Sequence, residues 1–299
     1  MRNRYDVITI GNYTKDTIVS SAGTRQVDGG GVNYAAHAAA ALGLRVAAVT
    51  RLASEDSSVV RALERAGIDV FAHETPSSTL MRLEYPTANV DERVLSVAAT
   101  AGSFTVDQVR DLDARAFVVS PSLRGEVPVE VMRELRGKGA VVGADAQGFV
   151  RVRAADGSLH HQDWPERDEV LALVDVFKVD VVEAEFLTGE GEPALAARAL
   201  AALGVREVVL THRNGLLVHA QGRLHAAEFF PSSLIGRSGR GDTCLGSYVA
   251  ARLTAEPAEA TLWSAAVTSL KMEVEGPIHR SRDEIVELLR RKYGWQAHA

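Results

Sequence analysis

The sequence predicts an α/β protein with a mostly parallel central sheet, helices on both of its faces, and a small β insertion. Three observations carry that expectation. Short apolar runs alternate with helical patterns along most of the 299 residues, and strands that alternate with helices build parallel sheets covered on both sides. The alternation breaks at residues 79–97, where two strand-like runs follow one another around a turn. From Gly239 onward the chain is mostly helical in pattern.

Taken in order, Tyr5–Ile10 is an apolar run closed by Gly11-Asn12, the pattern of a buried strand ending in a turn. A polar loop follows, then Gly29-Gly30-Gly31. Val32–Leu42 is an Ala-rich helix pattern with Gly43 at its C-terminal stop. Arg45–Leu52 is a strand, Ser57–Ala66 an amphipathic helix ended by Gly67, and Ile68–Ala72 a short strand. Thr79–Tyr85 and Glu92–Val97 read as a β-hairpin around Pro86–Asp91. Ala116–Ser120, Val127–Gly137 and Ala140–Asp145 then resume the alternation as strand, helix and strand. Asp156-Gly157-Ser158 is a turn. Val174–Val179 is a strand, Val181–Leu187 and Pro193–Leu203 are helices, and Glu207–Thr211 is a strand. Leu216–His219 and Leu224–Ala227 make a hairpin around Gln221-Gly222. Asp242–Leu253, Pro257–Val274 and Arg282–Tyr293 are helices.

Composition excludes several functions. A net charge of −6 and a pI near 5.9 argue against nucleic acid as a partner, since a phosphate backbone wants a basic face. The single cysteine, Cys244, can form no intramolecular disulfide and no zinc cluster. The histidines lack cysteine partners and a His-x-x-x-His pair, so a metal centre is not expected. No stretch approaches the roughly 20 apolar residues of a membrane span. The first ten residues lack the apolar segment of a signal peptide. A cytoplasmic protein with no membrane partner is the expectation.

The chemistry centres on Gly239-Arg240-Gly241-Asp242. Glycines ahead of a helix let backbone N–H groups converge on an anion, and the helix N-terminus adds its positive end. Phosphoryl transfer to an alcohol also needs a carboxylate to take the hydroxyl proton, and Asp242 follows the last glycine. By themselves, these residues are better described as a tight turn capped by Asp242, because Asp is a preferred N-cap. A dinucleotide-binding reading fails, since the first strand is followed by Gly-Asn-Tyr rather than Gly-x-Gly-x-x-Gly.

Other segments alter that balance. Asp16 stands five residues after Gly11. Gly29-Gly30-Gly31 leads into the Ala-rich helix that ends at Leu42-Gly43. Lys178–Gly189 contains Asp180-Val181-Val182-Glu183, Val208–Thr211 precedes Gly215, and Ser238–Thr243 opens a late helix. In this order, from about residue 5 to 290, the set resembles the signatures of the PfkB/ribokinase family of carbohydrate kinases. The resemblance implies a three-layer αβα sandwich as a single domain over residues 1–299, with a small β lid contributed by about 12–28 and 79–97. It implies ATP-dependent phosphorylation of a hydroxyl on a sugar or polyol, with ATP and Mg²⁺ as cofactors. A nucleoside kinase and a non-catalytic ligand-binding protein on the same fold are the alternatives; Asp242 and Glu183 favour catalysis. The family often dimerises through its lids, which leaves a homodimer open.

The resemblance also implies roles. Asp242 is the general base, and Gly239, Arg240 and Gly241 form an anion hole. Asp16, Asn12, Gly30, Gly31 and Asn33 hold substrate, with Arg93 reaching in from the lid. Thr211, Asp180, Glu183, Arg213 and Gly215 lie by the nucleotide and its phosphates, and Glu183 acts on magnesium through water. Four departures stand out. The family's leading Asp-Thr is Gly236-Arg237, and since that Asp belongs to a monovalent-cation site, K⁺ activation is in doubt. The family's middle Ala is Arg240, whose side chain either meets phosphate or points to solvent or the adenine region. The Asn that ends the family's Gly-Gly-x-x-x-Asn pattern falls on Tyr34, giving a pattern like that of inositol kinases; Tyr34 either stacks on substrate or, the favoured reading, packs in the core. Asp180 replaces an Asn and either adds charge near magnesium or caps a helix, or does both. Asp145–Gly148, at the carboxyl edge of a strand, is read as a structural turn, with ligand contact as the alternative.

Overall fold

A computed structural model describes residues 4–21, 23–87 and 94–296. The strands are β1 (Tyr5–Ile10), β2 (Thr14–Ser20), β3 (Gly23–Gly29), β4 (Val46–Leu52), β5 (Asp69–Glu74), β6 (Thr79–Glu84), β7 (Val94–Ala99), β8 (Ala114–Val119), β9 (Val141–Asp145), β10 (Arg151–Arg153), β11 (Leu159–His161), β12 (Val176–Asp180), β13 (Glu207–His212), β14 (Gly215–Ala220) and β15 (Arg223–Glu228). The helices are α1 (Gly31–Ala41), α2 (Ser58–Arg65), α3 (Val129–Gly137), α4 (Gln147–Val150), α5 (Arg167–Ala172), α6 (Val181–Thr188), α7 (Pro193–Ala202), α8 (Arg240–Arg252), α9 (Pro257–Met272) and α10 (Arg282–Tyr293).

The large sheet has the order β15-β14-β13-β12-β9-β8-β1-β4-β5. Every pairing from β13 to β5 is parallel, and β14 and β15 close one edge as an antiparallel hairpin. Successive side chains of a strand point to opposite faces, and two cores follow from that. Val7, Val46 and Ala48 face a core built with α1, α8, α9 and α10. Ile8, Ile10, Ala47 and Val49 face a core built with α3, α5 and α7. The result is the three-layer α/β arrangement. No helix among the described residues is long and apolar enough to cross a membrane.

The Ala-rich sequence of α1 has a packing reason. A Cβ on Gly246 of α8 would lie 2.6 Å from the Cα of Ala35, so the two backbones touch where neither carries a large side chain. This close crossing brings the N-termini of α1 and α8 together, each preceded by glycines.

The segment after Gly11, polar in pattern and placed by the resemblance in a small β lid, forms the hairpin β2–β3. Together with β6–β7 it makes a second sheet in the order β3-β2-β6-β7, with β2 and β6 parallel. β3 carries almost no apolar pattern because it is an exposed edge. Helix α8 begins at Arg240, two residues ahead of the predicted start. Its N-cap is Gly239, held at φ 76°, and Asp242 therefore sits in the first turn rather than at the cap.

Candidate active site

A cleft of about 340 Å³ opens between the small sheet and the carboxyl ends of β9, β12 and β13, the edge where open α/β sheets bind ligands. Asp242 sits in its floor, 9% exposed. The glycines around it are there for space. A Cβ at Gly31 would fall 2.4 Å from Asp242 Oδ1, and one at Gly241 would fall 2.6 Å from Lys178 Nζ. Gln147 Nε2 donates to Asp242 Oδ1 at 3.1 Å. Burial pushes the Asp242 carboxyl above the usual carboxylate value, while Lys178 and Arg151 pull it down.

Lys178 is the hub of this floor. It is 4% exposed, yet its ammonium lies 3.2 Å from Asp145 and 3.6 Å from Glu183. Burial alone would lower its pKa, but the carboxylates of Asp145, Glu183, Asp180 and Asp242 together hold it above the ordinary lysine value. Burial pushes Asp145 up to about 6 and Glu183 up to about 7, against the pull of Lys178 on each. Arg151 stands 4.0 Å from Glu183. A buried charge set of this kind persists only where its members satisfy one another.

One side of the cleft combines the start of α6 with three arginines. Asp180 caps α6, accepting from the backbone N–H of Val182 and Glu183, while Glu183 accepts from the N–H of Asp180 at 2.8 Å. The helix-cap reading of Asp180 holds, and the residue also lines the cleft. Thr211 is the last residue but one of β13, buried, with its hydroxyl on the Val179 carbonyl. Arg213, Arg237 and Arg240 line the outer wall. Arg240 therefore faces the cleft rather than open solvent.

On the opposite side stand Asp16 of β2, 7% exposed, and Gly30 at φ 93°. Tyr34 is 2% exposed, and its hydroxyl has no hydrogen-bond partner. A Cβ at Gly239 would lie 2.2 Å from the Tyr34 ring, so Tyr34 is both core and cleft wall. Met81, Leu83 and Leu95 of the small sheet close this side.

Three of the residues expected here lie elsewhere. Asn12 is fully buried below the cleft and donates to the Gly102 carbonyl. Asn33 turns away, donating to the Asp28 carbonyl. Gly215 starts β14 and is a sheet position, where a Cβ would meet the Ala227 carbonyl at 2.3 Å. Arg93 lies outside the described residues. Sequence reasoning missed the roles of Lys178, Gln147 and Arg151. A lysine inside the apolar strand Val176–Asp180 was a visible signal, since lysine is almost never fully buried without a partner. Gln147 fell in a segment read as a structural turn.

Residues 7–284 match the family model described as pfkB family carbohydrate kinase. Among solved structures, the chain is similar to a pyrophosphate-dependent kinase in the ribokinase family in a sulfate complex, with 32% identity, a TM-score of 0.87, and coverage of 94% of this chain and 99% of that one. It is likewise similar to a pyrophosphate-dependent kinase of that family complexed with a pyrophosphate analog and myo-inositol, at 31% identity, TM-score 0.86 and coverage of 94% and 99%. An Arabidopsis thaliana ribokinase complexed with ribose and ATP shares the fold at 18% identity, TM-score 0.76 and coverage of 96% and 99%. No curated protein sequence matches.

Proposed function

Because this chain belongs to the pfkB family of carbohydrate kinases, we propose that it transfers a phosphoryl group from pyrophosphate to a hydroxyl of a small polyol, an inositol being the leading acceptor. The observation that carries the reading is the placement of Asp242. Its carboxyl sits in the first turn of α8, against Gly31, beside Lys178 and the glycine loop. A carboxylate there takes the proton of the acceptor hydroxyl as its oxygen attacks phosphorus. The bond from that phosphorus to the bridging oxygen breaks, and inorganic phosphate leaves. Lys178 and the N–H groups of Gly239 and Gly241 offset the charge that develops on the transferring group; the Arg240 N–H donates instead to the Arg237 carbonyl. Asp16 accepts hydrogen bonds from acceptor hydroxyls. The small sheet acts as a lid over the acceptor, and the water it excludes cannot compete for the phosphoryl group.

Pyrophosphate is favoured as donor by the kinases at 31–32% identity, which are described as pyrophosphate-dependent, and by the wall of Arg213, Arg237 and Arg240. ATP, the donor expected from the sequence, is the second reading. Val181 and Val182, exposed apolar residues that also line the cleft, offer a base a surface to rest on.

Magnesium fits this site only as a hydrated ion. Among the described residues no group of three or more His, Cys, Asp or Glu is placed to hold a metal directly, and Asp145 and Glu183 already engage Lys178. Mg²⁺ usually keeps several waters, so Asp180 and Glu183 would hold it through them. Bound there, it would neutralise charge on the donor phosphates.

The test is a matrix of donors and acceptors. Purified protein is incubated with pyrophosphate or ATP and each of a panel of inositols, sugars and nucleosides, and the phosphorylated product is identified by mass. The proposal expects an inositol phosphate with pyrophosphate. Product with ATP alone overturns the donor, and product with nucleosides alone overturns the acceptor.

A further inference from the structure

Lys271 is a buried lysine that the mechanism above does not use. It lies near the end of α9 with 0% exposure. Its ammonium donates to the carbonyl of Gly236 at 2.9 Å and lies 5.2 Å from the centre of the Tyr34 ring. Gly236 opens the segment that runs to Gly239 and the start of α8. That segment is pinned to the end of α9 at further points. The N–H groups of Ile235 and Gly236 both donate to the Met272 carbonyl, at 2.9 and 3.1 Å. A Cβ on Gly236 would lie 2.2 Å from the Val274 carbonyl oxygen. Tyr34 in turn packs against Gly239. Lys271 thus touches the loop at its first residue and, through one ring, at its last turn.

A methionine would fill this place without burying a charge, and an ammonium with one carbonyl and one ring face is costly to keep there. Burial pushes it down to about 8; the charges facing it, Glu275 and Asp242, oppose that shift. The cation also stands where the sequence departs from the family signature it resembles. Gly236-Arg237 replaces the Asp-Thr that serves a monovalent-cation site in the family the sequence resembles.

We propose that Lys271 is the built-in cation of the phosphate loop: its ammonium, held between the Gly236 carbonyl and the Tyr34 ring, positions residues 236–241 and makes a separately bound monovalent cation unnecessary. The proposal rests on the kinase reading above. Lys271 is a positioning residue, acting through the loop and Tyr34 rather than on substrate.

The test uses the full chain with its best donor and acceptor in potassium, sodium or choline chloride at equal ionic strength. Wild-type kcat is expected to agree among the three salts to within about twofold. Lys271→Ala leaves a space and is expected to lose kcat by about tenfold or more, with part of the loss restored by added ammonium, methylammonium or potassium. Lys271→Met fills the space. It is expected to melt no lower than wild type, to bind pyrophosphate more weakly by calorimetry, and to gain nothing from added cations. The proposal is overturned by wild-type activity that depends on potassium. It is equally overturned by a Lys271→Met enzyme with unchanged kcat and pyrophosphate affinity, or by a folded Lys271→Ala enzyme that no cation restores. A wild type that neither turns over nor binds a phosphoryl donor defeats the kinase reading first. That result is distinct from an active wild type matched by its Lys271 variants.

Discussion

Gln147 donates its side-chain amide to Oδ1 of Asp242 at 3.1 Å, joining the short helix after β9 to the first turn of α8. The two residues are separated by 95 positions in the chain. That bond holds one carboxylate oxygen in place, and in the proposed reaction it would fix the orientation of the base. Gln147→Ala should free the carboxylate to rotate and lower kcat by about tenfold, with donor KM little changed. Steady-state kinetics in both substrates checks this. A fall confined to donor KM would place Gln147 on the donor instead.

Asp242→Asn keeps the shape of the proposed base and removes its proton affinity. Turnover should fall by about 10²–10⁴-fold, the usual share of a positioned base. Pyrophosphate binding should persist, because the glycine loop, Lys178 and the arginine wall are untouched. Near-normal kcat in this variant would exclude Asp242 as the base.

The pH profile carries a sign of its own. Burial raises Asp242 above the ordinary carboxylate value of 3.8, against the pull of Lys178 and Arg151. A base works when deprotonated, so the acid limb of kcat should lie above that value, with activity falling as pH drops through it. Arg151→Gln removes one of the pulling charges and should move the limb to still higher pH. A limb that stays in place in this variant would mean that Arg151 does not act on the titrating group.

Much of the fold was legible because it is written locally. The bounds of α10 follow from Ser281 and Glu284, which cap each other's backbone N–H groups, and from Gly294 in the left-handed conformation at the other end. The parallel strands announced themselves as apolar runs. β3 did not, since Gly23–Gly29 is a polar, exposed edge whose pairing with β2 supplies what its side chains do not. The start of α8 was misplaced for a similar reason. Gly239 caps the helix with its backbone alone and gives no side-chain signal. In the site, Asp242 and the glycines could be located as motifs, because each motif is contiguous. The Lys178–Asp145–Glu183 set and the Gln147–Asp242 bond depend on β9, β12 and α8 meeting in space. No spacing within one segment encodes that. Asn12 and Asn33 show the converse: each stands near a glycine motif, yet the fold spends its amide on a backbone carbonyl away from the cleft.

Glu126 supplies a stability test separate from catalysis. It is 3% exposed and accepts from the Ser122 N–H at 2.9 Å. Burial pushes its carboxyl from 4.5 up to about 8, against the Ser122 hydrogen bond, the neighbouring Asn12 and the charge of Arg151. A proton there is useful locally, because Glu126 Oε1 and Asn12 Oδ1 are both buried without partners, and a protonated carboxyl offers a donor. The folded state therefore holds a proton between pH 4.5 and about 8 that the unfolded chain has released. The sign follows from linkage: stability from this group is complete below the unfolded value and is lost as pH rises through the folded one. Glu126→Gln carries a permanent donor and cannot ionise, so its stability should not share that decline. Urea unfolding of both proteins on either side of this window should show wild type losing, relative to Glu126→Gln, on the order of a few kcal/mol as pH rises. Parallel stability curves would mean that Glu126 is ionised in the folded protein, leaving Asn12 to satisfy a buried carboxylate rather than a carboxylic acid.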